Sequence, residues 1–62
     1  MDNQRQIYAN LLRQTWVKCL MKKTALSEAR EITLSRRGEV PLEIAEEIID
    51  EWVKRAEEKA NG

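Results

Sequence analysis

Residue types that support catalysis, metal binding and tight turns are scarce in this sequence. It contains no His, one Cys, one Pro and two Gly among 62 residues. Without His or a second Cys, the chain lacks the commonest general base, the usual zinc ligands and any disulfide. With so few Gly and Pro, it also lacks the turn residues that a fold of many short strands requires. We therefore expect an all-α protein that is not an enzyme and uses no cofactor, metal or small-molecule substrate.

Long apolar runs are also missing. No stretch approaches the roughly 18 uninterrupted apolar residues that a membrane-spanning helix needs, and the N-terminal six residues are polar apart from Met1. The single Cys19 suits a reducing compartment, and its helical position predicts a small buried hydrophobic residue. We expect a soluble cytoplasmic protein that makes no membrane contact.

The material that is present suffices for one small core. Hydrophobic residues make up 42% of the chain and charged residues 35%, which is typical of a folded domain. We expect a single helical domain over residues 1–62. A chain of this length buries only about 60% of the surface that its unfolded form exposes. Its stability should therefore be marginal unless a partner subunit or an unusually well-packed core contributes.

The spacing of apolar residues predicts three helices, near residues 4–22, 26–37 and 41–60, packed as a small three-helix bundle. The third is the most amphipathic, because its apolar residues fall within about 140° of the helix circumference. These residues are Leu42, Ala45, Ile48, Ile49, Trp52, Val53, Ala56 and Ala60. The predicted core residues of the first helix are Tyr8, Leu11, Leu12, Thr15, Trp16 and Cys19, and those of the second are Leu26, Ala29, Ile32 and Leu34.

The two predicted breaks differ in strength. Between the second and third helices, Gly38 can adopt the left-handed conformation at C′, and Pro41 suits the first turn of a helix. Between the first and second, the signals are weaker: two cations suited to a helix end, Lys22 and Lys23, then Thr24 or Ser27 as an N-cap, with Glu28 and Glu31 in the first turn. The alternative fold is therefore a long helical hairpin, in which one helix from about residue 4 to 37 folds against the last.

Charge is segregated along the chain although the net charge is zero. Residues 1–23 carry five basic residues and one acidic residue, whereas residues 39–62 carry three basic and eight acidic residues. The third helix presents an acidic face that is either a solvated surface or a docking face for a basic partner: Glu43, Glu46, Glu47 and Asp50. Five cations form a candidate basic patch at one end of the domain: Lys22, Lys23, Arg30, Arg36 and Arg37.

Four apolar residues of the first helix lie away from its predicted core face. They are Ile7, Val17, Leu20 and Met21. The apolar strip of the second helix is too short to cover all of them, and exposed apolar patches mark interaction sites. We predict that they form an interface with another protein or with a second copy of this chain. A homo-oligomer is expected, because oligomerisation commonly compensates for a small core.

These features predict a small helical protein–protein interaction module, acting as a regulatory or adaptor protein. The alternative is a DNA-binding transcriptional regulator that uses the basic end of the domain. In a helix-turn-helix arrangement, however, the helix that follows Gly38 would bring its acidic face against the phosphates, which disfavours nucleic acid as a partner. A structural or assembly component is a third class that the sequence does not separate from the first.

Overall fold

The computed structural model describes residues 3–61, with side chains through residue 60. It contains three helices, α1 (Asn3–Met21), α2 (Leu26–Ser35) and α3 (Leu42–Asn61), and no strand within the described residues. The predicted three-helix bundle is confirmed, and each helix ends within two residues of its predicted bounds. The alternative hairpin is wrong, because the chain leaves the helical path after Met21.

The break after α1 is a Schellman motif, the commonest way to satisfy the last carbonyls of a helix. The N–H of Lys23 donates to the carbonyl of Leu20, and the N–H of Thr24 donates to that of Cys19, both at 3.0 Å. Lys23 occupies the left-handed position with φ of 59°. Gly usually fills this position, so its absence explains why the sequence marks this boundary only weakly.

The start of α2 has no side-chain cap. Ala25 occupies the N-cap position, and its carbonyl accepts the N–H of Ala29 at 2.8 Å. The prediction of a cap by Thr24 or Ser27 is therefore wrong, because the N-cap residue lies one position after Thr24 and two positions before Ser27.

A turn over residues 37–40 connects α2 to α3, closed by the N–H of Val40 donating to the carbonyl of Arg37 at 3.2 Å. Gly38 has a φ of +63°, so its predicted left-handed conformation is confirmed. It lies inside this turn instead of at C′, because α2 already ends at Ser35. Pro41 directly precedes α3, and its carbonyl accepts the N–H of Ala45 at 2.9 Å.

The helices run up, down and up. Arg5 near the start of α1 pairs with Glu47 in α3, and Trp16 further along α1 packs against Trp52. Because early residues of α1 meet early residues of α3, these two helices run in the same direction. The shorter α2 returns antiparallel and packs against both.

Nine apolar side chains form the buried core of the described residues: Leu12, Trp16, Cys19, Ala29, Leu34, Val40, Ala45, Ile48 and Ile49. The burial of Cys19, Ile48 and Ile49 confirms the prediction for those positions. Val40 in the α2–α3 turn and Thr33 in α2 are equally buried, although amphipathic spacing does not indicate them. The Thr33 hydroxyl donates to the carbonyl of Ala29 at 2.7 Å, so this buried polar group has a partner.

Three predicted core residues lie at the surface instead. Leu11 is 48% exposed and Leu42 is 46% exposed, and Ala60 is also exposed. Leu11 lies roughly 100° around α1 from Leu12, at the edge of the predicted face. Leu42 and Ala60 are near the two ends of α3, where fewer neighbouring residues are available to cover them.

Candidate functional site

An apolar groove of about 360 Å³ lies between the later halves of α1 and α3. We call it the α1/α3 groove. Its lining combines five apolar residues with three cations: Trp16, Val17, Leu20, Trp52 and Ala56, with Arg13, Arg55 and Lys59. All three cations are exposed. No acidic residue lines the groove. The groove is therefore apolar with a positively charged rim.

The sequence produces this groove by repeating one spacing on two parallel helices. Residues 13, 16, 17 and 20 of α1 and residues 52, 55, 56 and 59 of α3 both follow the i, i+3, i+4, i+7 pattern. Residues at this spacing form one stripe along a helix. Because α1 and α3 are parallel neighbours, the two stripes lie side by side.

The floor of the groove rests on a pair of indole rings. The ring centroids of Trp16 and Trp52 are 5.8 Å apart, with an interplanar angle of 43°. Trp16 is only 6% exposed, whereas Trp52 is half-buried. Such tilted aromatic pairs add specific attraction to ordinary burial, so the floor is held in place from the core below.

The cations of the rim form no ion pair within the described residues. The ion pairs found there involve only the cations Arg5 and Arg30. Arg13, Arg55 and Lys59 have no acidic side chain within 4 Å in that part of the chain. The rim is therefore available to negatively charged groups of a partner.

The four predicted interface residues are all exposed, but they do not form one surface. Val17 and Leu20, each 42% exposed, line the α1/α3 groove. Met21 is 79% exposed and Ile7 is 53% exposed, and neither lines it. Met21 follows Leu20 by one residue and therefore points about 100° further around α1. Of the four predicted interface residues, the structure therefore brings only Val17 and Leu20 together in the α1/α3 groove.

The acidic face of α3 is held to the other two helices by two arginines. The Nε of Arg30 in α2 donates to Asp50 at 2.8 Å, and its Nη2 lies 3.6 Å from Glu46. The hydrogen bond and charge of Asp50 raise the pKa of Arg30 above its ordinary value. Arg5 in α1 lies 3.6 Å from Glu47.

Glu51, on the turn after Glu47, also binds Arg5, at 3.2 Å. Glu43 is exposed and takes part in no ion pair among the described residues. Three of the four predicted acidic residues are therefore engaged within the chain, which leaves less negative charge for a basic partner than the sequence indicates.

The five residues of the candidate basic patch do not form one surface. Arg30 pairs with acidic residues of α3 instead. Lys22 and Arg36 do come together, and with Lys18 they border a groove of about 130 Å³ between α1 and α2. Arg37 lies beside Arg36 at an adjoining depression and donates to the carbonyl of Leu34 at 2.9 Å. Lys23 is exposed in the loop after α1.

Sequence reasoning missed the cations of the α1/α3 groove. Arg13, Arg55 and Lys59 are spaced i, i+3, i+4, i+7 with apolar residues on their own helices, and that signal was available. What the sequence did not provide was the parallel arrangement that sets the two stripes side by side. No helix in the described part is long and apolar enough to cross a membrane, and no group of three metal-ligating side chains occurs there.

Comparison with known proteins gives no match: no family model, no curated protein and no solved structure is significantly similar to this chain.

Proposed function

We propose that this chain is a cytoplasmic regulatory or adaptor protein that acts by binding another protein in the α1/α3 groove. The observation that carries the proposal is the exposure of Val17 and Leu20, at 42% each, beside the paired rings of Trp16 and Trp52. Clustered apolar surface of this kind is typical of interaction sites, and Trp is enriched among the residues that dominate binding energy. The alternative protein partner is a second copy of this chain.

Binding at the groove is tested by capture from an extract of the source organism with matched double variants. Val17→Glu/Leu20→Glu places two charges in the groove, whereas Ile7→Glu/Met21→Glu makes the same change at exposed positions outside it. Glu is well tolerated in helices, so both variants should keep wild-type helicity by circular dichroism. We expect wild type and Ile7→Glu/Met21→Glu to capture the same proteins, and Val17→Glu/Leu20→Glu to lose them. If Val17→Glu/Leu20→Glu still captures those proteins, the binding surface lies outside the groove.

A second candidate function is nucleic-acid binding at the groove between α1 and α2. The observation that favours it is the convergence of Lys18, Lys22 and Arg36, none of which pairs with an acidic side chain among the described residues. Three cations are few for this role, and the acidic α3 would repel phosphate. We expect weak, non-selective binding in an anisotropy titration with duplex DNA at physiological salt. Tight, sequence-selective binding lost in Lys22→Glu/Arg36→Glu would favour this function over protein binding.

A further inference from the structure

We propose that the partner presents an acidic amphipathic helix that lies along the α1/α3 groove. This inference rests on the proposed function and names the chemistry of its partner. It depends on the shape of the groove, on the charge around it and on the poor fit of a second copy.

The shape suits a helix. Each lining stripe covers eight residues, from residue 13 to 20 and from 52 to 59, which corresponds to about two turns or roughly 10 Å. Two parallel helices form a trough between them, and a further helix laid in that trough is a recurring recognition mode. Apolar side chains of the partner at i, i+3, i+4 and i+7 would contact Val17, Leu20 and Trp52. The partner helix would thereby add a fourth helix to the bundle.

The cations of the rim indicate which side chains the partner helix carries on either side of its apolar stripe. Arg13 stands on the α1 side of the groove, and Arg55 and Lys59 stand on the α3 side. A helix seated between them would have one cation on its α1 flank and two on its α3 flank. Acidic side chains at the positions beside its apolar stripe would pair with these cations, whereas basic side chains there would be repelled. Charge complementarity therefore identifies an acidic partner.

The same charges disfavour a second copy in this groove. A twofold dimer sets one patch against itself, which would bring two copies of Arg13, Arg55 and Lys59 together. The acidic face of α3 is also a poor occupant, because Ile48 and Ile49 beneath it are buried in the core of its own chain. The groove fits an acidic helix from a different protein.

Two synthetic peptides of about 18 residues, long enough to form a helix on binding, test the inference. Both carry the same Leu stripe at i, i+3, i+4 and i+7, with Glu on the flanks in one and Lys in the other. Binding is measured by anisotropy of a labelled peptide and by the emission of Trp16 and Trp52. We expect the Glu peptide to bind, to become helical and to weaken as salt increases. We expect no binding of the Lys peptide.

Charge reversal provides the matched control. Arg13→Glu/Arg55→Glu/Lys59→Glu should weaken the Glu peptide roughly tenfold, the combined effect of three exposed ion pairs, and should allow the Lys peptide to bind. The triple variant Lys18→Glu/Lys22→Glu/Arg36→Glu changes the net charge equally outside the groove and should leave the preference for the Glu peptide unchanged. All six residues are exposed, and circular dichroism verifies that both variants fold.

The outcomes separate the inference from the proposed function. Equal binding of both peptides would overturn the acidic partner while leaving protein binding in the groove intact. Binding of neither peptide, or binding of anionic lipid vesicles in place of the Glu peptide, would also overturn the acidic partner. The proposed function is decided independently by the capture experiment with Val17→Glu/Leu20→Glu. Preference for the Glu peptide that disappears in Arg13→Glu/Arg55→Glu/Lys59→Glu, and not in Lys18→Glu/Lys22→Glu/Arg36→Glu, would support the acidic partner.

Discussion

Burial is unequal among the apolar residues of α3, and we expect stability to follow burial. Ile49 is 0% exposed, so Ile49→Ala should lower the free energy of unfolding by about 2–5 kcal/mol through lost burial and a cavity. Leu42 belongs to the same predicted apolar face but is 46% exposed, so Leu42→Ala should cost less than about 1 kcal/mol. Urea denaturation followed by circular dichroism measures both. Equal losses would mean that the core is misassigned.

The amphipathic pattern alone marks Trp52 as a core residue equal to Ile49. In the structure Trp52 is half-buried and forms part of the groove floor. Because Trp52 also packs against the core, we expect Trp52→Ala to lower the free energy of unfolding by about 3–5 kcal/mol, comparable to Ile49→Ala. Trp52→Ala should weaken peptide binding more than Ile49→Ala does.

Thr33 is the one buried polar residue within the described part of the chain. Its hydroxyl donates to the carbonyl of Ala29, while its methyl group contributes to the packed interior. Thr33→Val removes the hydrogen bond without opening a cavity and should change the free energy of unfolding by no more than about 1 kcal/mol. Thr33→Ser keeps the hydroxyl but loses a buried methyl, and should cost about 1 kcal/mol. A large loss in Thr33→Val alone would show that the hydrogen bond dominates; the same urea titration distinguishes the two.

At the scale of the elements, each of the two connections contains one residue in the left-handed conformation. Gly38 is suited to that conformation, whereas Lys23 is not. Gly38 has φ of +63°, and a Cβ placed there would meet nothing within 4 Å. Gly38→Ala should therefore cost about 1 kcal/mol through backbone strain alone. Lys23, at φ of 59°, already carries that strain. Lys23→Gly should stabilise the protein by about 0.5–1 kcal/mol. Thermal melts of the two variants should shift in opposite directions, and a shared direction would contradict this account of the helix ends.

These connections also show how far the sequence predicts the elements. Gly38 and Pro41 made the α2–α3 boundary evident, because each has few alternatives to a break in the helix. The α1–α2 boundary depends on hydrogen bonds around Lys23, whose side chain has no preference for the left-handed conformation. Periodicity likewise identified the buried residues of α1, which are Leu12, Trp16 and Cys19. It also included Tyr8 and Thr15, which are half-buried, and Leu11, which is exposed at the edge of the face.

For the whole molecule, the charge segregation seen in the sequence is compensated in part within one chain. Arg5 and Arg30 connect α1 and α2 to the acidic α3. Since the pKa of Arg30 is raised, its contribution is present at neutral pH and is lost only as the pH rises through that raised value. This internal pairing was not predictable from linear charge, which was equally consistent with pairing between two copies. Six of the cations that form no ion pair among the described residues line the two grooves.

The dependence of the oligomeric state on salt concentration tests this distribution of charge. Val17 and Met21 remain exposed, so the predicted self-association through α1 stays a prediction. Contact between the basic later halves of two α1 helices would be opposed by Arg13, Lys18 and their neighbours. We therefore expect monomers at low ionic strength and increasing association as salt screens the repulsion.

Light scattering on a sizing column, across a dilution series at low and high salt, measures this dependence. Val17→Glu/Met21→Glu should remain monomeric in both buffers, because it removes the apolar contact that salt would otherwise allow. A dimer present at low salt that dissociates as salt increases would have the opposite meaning. It would indicate that the basic α1 of one copy pairs with the acidic α3 of another. In that case Arg5 and Arg30 would not compensate α3 sufficiently within a single chain.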